Sequence, residues 1–331
     1  MIDLASGLSV GIGSLPHRDA SSAAAFALEA CELATMPTLP RRSAAEGMIA
    51  QAVVGLEGVT IGHYGSLSVD ARRVDPLAPV VTDIDHEAFG GFRAFLDAAA
   101  GRSGPVKWQM VGPVTLGFAL ERAGVPASLA FDTAVRAVRS HVQVLSAIVA
   151  ERLPGCQQVV FLDEPSFGEA WQHGSSVAPD TAIDLLSGAL AAVEPQGIAG
   201  VHSCGSTDTA ALLAAGPSVL SLPALPELVE VAGYLAAFLE RGGWVAWGVV
   251  PTDGPIPQSV ERPWRNLSAL WCQLVQRGCD PVLLRRQAMV SPACGLALHA
   301  EEIADRVFRL TREVAGRVRD QAVATRLTVG A

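Results

Sequence analysis

The sequence predicts an α/β chain folded as one TIM-type (β/α)8 barrel. Three observations carry that prediction. Eight short β-like runs alternate with longer helical patterns along the 331 residues. Half of the residues are apolar and 17% are charged, enough to fill a large core. Glycine and proline punctuate the chain evenly, so no low-complexity linker divides it in two. Residues 37–102 break the regular alternation and are expected as an irregular elaboration over the barrel mouth.

The first run, 8–12, is followed by Asp19, a side chain suited to cap a helix over 20–31. A second run at 33–36 leads into the irregular segment. There a helix over 44–53, a hairpin-like stretch over 59–69 and a helix over 87–100 are expected. The third run, 107–111, holds Trp108, expected in the core, and precedes the clearest helical stripe. In that stripe Val135, Val138, Val142, Leu145 and Val149 recur at three- and four-residue steps. Runs at 158–162 and 198–201 come next. The longest nearly apolar stretch, Thr209 to Leu225, is cut by Gly216, Pro217 and Pro223 into a helix, a turn and a strand at 219–222. It falls short of the about 20 apolar residues of a membrane span. In the run 244–249, Trp244 and Trp247 are three apart and therefore face opposite sides of a sheet. A helix over 264–276 and a run at 288–291 follow, and Ile303, Val307, Leu310, Val314 and Val318 form the last stripe.

Charge and cysteine content narrow the partners. The net charge is −9, from 24 Lys and Arg against 33 Asp and Glu, and no basic run is interleaved with aromatics. Nucleic acid is not an expected partner. Asp3 and the lack of a basic leading segment give no secretory signal, and six scattered cysteines point to a reducing compartment. A soluble cytoplasmic chain without a membrane partner is expected.

In a barrel the C-terminal strand ends gather around one mouth, and the unusual strings of this chain fall there: 11–17, 111–115, 161–165, 202–204 and 291–294. His202 and Cys204 are two apart, so a strand continuing through them puts both side chains on one face. With Cys294 they make a candidate zinc site, plain burial being the alternative for each. A three-ligand site leaves room for an incoming thiol, which the metal would keep deprotonated yet nucleophilic. Cys31, Cys156, Cys272 and Cys279 are expected as buried filler or surface thiols. Asp163 and Glu164, stopped by Pro165, suit metal binding, acid–base work or the grip of an ammonium. Turn capping and a buried ion pair are the structural alternatives. Ser14, after Gly13, can offer its hydroxyl and neighbouring amides to a carboxylate. His17, His63, Tyr64 and Thr115 are further pocket candidates. Asp253, before Gly254, either caps a turn or contributes to the mouth. Arg41 and Arg42 fit an anion grip near the mouth as well as they fit a solvated loop.

Taken in order, these strings resemble the C-terminal catalytic barrel of the cobalamin-independent methionine synthase family. The wider group also contains uroporphyrinogen decarboxylase and corrinoid-linked methyltransferases. Residues 12–16, Ile-Gly-Ser-Leu-Pro, match the family's opening I-G-S-F-P, and 111–115, Val-Gly-Pro-Val-Thr, its T-G-P-V-T. Asp163-Glu164-Pro165 matches D-E-P, His202 and Cys204 the H-x-C pair, and 292–296 the late P-x-C-G-L. The resemblance spans nearly the entire chain and corresponds to the catalytic half of the family's full-length enzyme. It implies zinc held by His202, Cys204 and Cys294, and methyl transfer to the thiol of homocysteine to give methionine. Asp163 would hold the acceptor's ammonium, and Ser14 with nearby backbone its carboxylate. The implied donor is a methylated folate or a methylcorrinoid, the latter on a partner protein. Two positions depart from the pattern. The family's glutamate zinc ligand falls at about Pro223, close to Glu227 and Glu230, and its D-I-H-S-P histidine is replaced by Asp253. Proton handling or donor activation is expected to differ accordingly. Methylation of another small thiol, a uroporphyrinogen decarboxylase-like activity and a non-catalytic ligand-binding barrel are the competing expectations.

Overall fold

The computed structural model describes residues 4–205 and 207–329. Eight parallel strands form its principal sheet: β1 (Leu8–Ser9), β2 (Ala34–Thr35), β3 (Gly104–Val111), β4 (Cys156–Asp163), β5 (Gly197–His202), β6 (Val219–Pro223), β7 (Trp244–Val250) and β8 (Ala288–Pro292). Each lies on one of the runs expected from sequence. Their order is β1-β8-β7-β6-β5-β4-β3-β2, and parallel bridges from Val10 to Leu33 and from Ser14 to Thr38 join the first to the second. The sheet thus curls back on itself as a TIM-like barrel. The β1/β2 seam is thin, carried by bonds such as Leu33 N to Ser9 O at 3.0 Å and Leu15 N to Thr38 O at 3.0 Å.

Strand alternation sorts the side chains into two layers. Val10, Leu33, Phe161, Val219, Trp244 and Met289 pack together inside the barrel. Trp247 faces the other way and meets Trp271 of the covering helix Glu261–Gln276, with ring centroids 5.9 Å apart. The interior has little slack: a Cβ at Gly200 would lie 2.5 Å from the Phe161 ring. Outside, Asp19 accepts from Ser22 N at 2.8 Å and caps helix Ala20–Ala30. The valine stripe belongs to helix Ala127–Arg152 and the last stripe to helix Glu301–Val329.

The segment between β2 and β3 is built from short pieces. The single helix expected over 44–53 is interrupted at Gly47, whose extended backbone separates the 3-10 turn Ala44–Glu46 from helix Met48–Ala52. The break frees Glu46 to turn inward, where it accepts from Leu39 N at 3.0 Å and Arg42 Nε at 2.7 Å. An antiparallel hairpin, Val59–Ile61 with Leu67–Val69, follows. The turn Glu87–Phe89 then leads into helix Gly90–Ala98. His141, buried on the long helix, ties this segment to the barrel. Its Nε2 donates to the Ala52 carbonyl at 3.1 Å, so its Nδ1 accepts from the Thr82 hydroxyl at 2.8 Å. Among the described residues no helix is long and apolar enough to cross a membrane.

Candidate functional site

The site is assembled from strand ends. β4 and β5 run in register, with Asp163 opposite His202. His202 closes β5, and its Nδ1 lies 3.0 Å from the Ser221 hydroxyl of β6. That contact orients the ring and leaves Nε2, which is buried, without a partner. Cys204 follows two residues later. Cys294 comes just after β8, whose register with β7 shifts at Ser291/Pro292. One ligand atom from each of these three residues lies within 4.8 Å of the others, and the two sulfurs are 3.1 Å apart. A free imidazole nitrogen and two free thiols converging in this way fit a zinc ion. The Cys204 thiol is pushed up by its bond to Cys294 and by burial, while Cys294 is held down by Cys204 and His202.

These residues form one wall of a cavity of about 360 Å³ at the C-terminal end of the barrel. Ser14, Gln109, Asp163 and Asp253 line it too, and Met48 and Leu298 stand at its rim. Asp163 is buried with Oδ1 unpartnered. Burial pushes its carboxyl up, against the pull of Lys107 and His202. Ser14 sits beside Cys294: a Cβ on Gly295 would lie 2.0 Å from the serine Oγ. Asp253 is exposed beyond β7, where the cavity adjoins a second cleft that holds Arg262. Among the described lining residues there is no lysine or arginine.

The other candidates are placed elsewhere. Adjacent strand residues point to opposite sides, so with Asp163 facing the cavity Glu164 faces outward. There it accepts from Val114 N and Thr115 N, both at 2.8 Å, and from the Thr115 hydroxyl at 2.6 Å. Glu164 and Thr115 thus bond to each other at the start of helix Pro113–Arg122, outside the cavity wall. Burial pushes the Glu164 carboxyl up to about 7, against those hydrogen bonds. His17 stacks on Phe26 with centroids 5.0 Å apart, its Nε2 3.9 Å from Glu301, and it too lies outside the wall. His63 and Tyr64 occupy the hairpin turn and line a separate surface cleft with Thr60 and His86; Tyr64 is 99% exposed. Glu227 and Glu230 are exposed on the turn Pro226–Val231 and do not replace the glutamate expected near Pro223. Arg42 is held by Glu46, and Arg41 donates to the His299 carbonyl at 2.8 Å on the rim. Cys31 and Cys279 are buried, Cys156 is half-buried and Cys272 is exposed, all apart from the metal-ligand trio.

Sequence reasoning missed Lys107, Gln109 and Thr252. The first two alternate with Trp108 and Met110 along β3, so the polar pair faces the barrel interior while the apolar pair faces the helices. Polar residues at every second position of an otherwise apolar run were the available signal. Thr252, in the loop after β7, carried none.

No protein-family model and no curated relative matches this sequence. Among solved structures, the fold is similar to that of a methyltransferase from Methanosarcina mazei. The two are 17% identical with a TM-score of 0.56, over 97% of this chain and 95% of that one. It is also similar to a candidate vitamin-B12-independent methionine synthase from Listeria monocytogenes. Here the identity is 13% and the TM-score 0.55, over 97% of this chain and 99% of that one. At such identities the likeness is one of fold, and function has to be argued from the site.

Proposed function

We propose that this chain is a zinc-dependent methyltransferase acting on the thiol of homocysteine to form methionine. The observation that carries the reading is the convergence of His202, Cys204 and Cys294 on a cavity shared with the unpartnered carboxylate of Asp163. The fold neighbours support the same reaction class. His202 Nε2 and the two sulfurs would hold the metal, with Ser221 keeping the imidazole in place. Bound zinc supplies a thiolate at neutral pH that remains nucleophilic.

The rest is done by side chains of the cavity. Asp163 receives the acceptor's ammonium, and the Ser14 hydroxyl with its neighbouring amides receives the carboxylate. The enclosing walls align the acceptor sulfur with a methyl group presented at the mouth and keep water away from it. Asp253, at the rim, would pass a proton to the folate nitrogen that gives up the methyl group; a methylcorrinoid donor needs no such proton. The donor is a methylated folate or a methylcorrinoid on a partner protein, which would meet the exposed Leu298 on approach. That no lysine or arginine is among the described lining residues disfavours a polycarboxylated tetrapyrrole, and with it the decarboxylase reading.

The test is zinc content of the purified chain and of Cys204→Ser, paired with homocysteine titration. About one zinc per wild-type chain is expected, lost in the variant together with thiol binding. Wild-type protein that is metal-free without chelation and does not bind thiol would overturn the reading. Zinc and homocysteine binding without methyl transfer from either donor class would favour the non-catalytic barrel.

A further inference from the structure

The barrel interior carries a buried charge to which the proposed chemistry gives no contact with the substrate, although it pulls on the Asp163 carboxyl. Lys107, on β3, is fully buried. An ammonium removed from water is costly unless its protons find acceptors. Its Nζ donates to the Ile12 carbonyl and, at 2.9 Å, to Gln109 Oε1, and it lies 4.8 Å from the centroid of the Phe161 ring. Gln109 passes the connection on, donating through Nε2 to the Met36 carbonyl at 3.1 Å. Ile12 and Met36 lie just beyond β1 and β2, along the seam where the barrel closes.

The loop after Ile12 is built against this pair. Gly13 has φ of 142°, and a Cβ there would lie 2.2 Å from the Gln109 carboxamide, so both backbone and space require glycine. Ser14 comes next. Its carbonyl accepts from Leu296 N at 2.9 Å, which ties it to the loop bearing Cys294. A path of direct contacts therefore runs from Lys107 to the rim of the cavity.

We propose that Lys107, acting with Gln109, is a positioning residue that clips the ends of β1 and β2 from inside the barrel and holds the Ser14 loop where it receives the carboxylate of an amino-acid substrate. The proposal rests on the role given to Ser14 above. It gives a buried charge a structural role beside its pull on Asp163, and it explains why the thin β1/β2 seam borders the site without loosening it.

The test compares binding of L-methionine and of 3-(methylsulfanyl)propylamine, which keeps the thioether and the ammonium but lacks the carboxylate. Wild-type protein is expected to favour methionine by about tenfold or more, the scale of a hydrogen-bonded charged group. Lys107→Met is expected to lower the preference for methionine over the amine about tenfold; a loss shared by both ligands through Asp163 leaves that ratio unchanged. Gln109→Leu, which keeps the ammonium, is expected to show the same selective loss at smaller amplitude. It provides the reading if Lys107→Met does not fold. An unchanged preference in the variants, or an equal loss for both ligands, overturns the proposal. A wild-type chain that binds the amine as well as methionine overturns the role of Ser14, and the clip falls with it.

Discussion

Asp163 and Glu164 are neighbours with the same functional group and opposite surroundings. Glu164 closes the amino end of helix Pro113–Arg122 from an adjacent strand, with both carboxylate oxygens engaged. Replacing it with alanine leaves two buried amides and a hydroxyl without their acceptor. Glu164→Ala is therefore expected to cost about 3 kcal/mol, read as a lower urea midpoint at unchanged slope. Asp163 has an unpartnered oxygen and is the carboxyl on which the buried Lys107 ammonium pulls. Asp163→Asn is expected to weaken homocysteine binding at least tenfold, since an amide does not balance an ammonium, whereas Glu164→Ala leaves that binding within about threefold. Equal effects of the two substitutions on binding would contradict this division of labour.

At the scale of elements, His141 joins the long helix to the segment over the mouth, and that segment supplies Gly47 and Met48 to the cavity. Burial holds its imidazole down to about 4, below the ordinary value of 6.5. Between pH 6.5 and 4 the unfolded chain takes up a proton that the folded chain refuses. Stability from this group is therefore complete above pH 6.5 and falls as the pH drops toward 4, by up to about 3 kcal/mol. His141→Gln, which can keep a donor and an acceptor, is expected to flatten the stability profile in that window when denaturant midpoints are compared. A variant profile parallel to the wild type between pH 4 and 6.5 would assign the slope to other groups.

For the whole molecule, the decisive constraint is the filling of a closed barrel. Phe161 occupies space that Gly200 leaves empty on the next strand. A methyl group at Gly200 has to displace a ring held by all the neighbouring strands, so Gly200→Ala is expected to cost about 1–3 kcal/mol. Adding Phe161→Leu should return part of that loss, and the non-additivity of the pair in denaturant unfolding measures their contact. The same closure gathers strand ends separated by more than a hundred residues into one mouth. It also explains why the candidate site lies at the carboxyl end of the sheet.

All eight strands and the long helices were legible in the sequence, because apolar periodicity and Gly/Pro punctuation are local properties. His202, Cys204, Asp163 and Ser14 were legible because each stands in a short string at a strand end, and Cys294 because it completes a soft ligand set. The strings did not say which of their members face the cavity. One strand step sends Glu164 away from Asp163, and the elaboration carries His63 and Tyr64 to another cleft. Lys107 and Gln109 stayed hidden because their value lies in partners at Ile12 and Met36, 95 and 73 residues away in sequence respectively. The sequence by itself determined the barrel and the chemical types at its mouth, through short-range pattern. Only the tertiary structure decided which side chains share the cavity, since that depends on strand register and on the closure of β1 against β2.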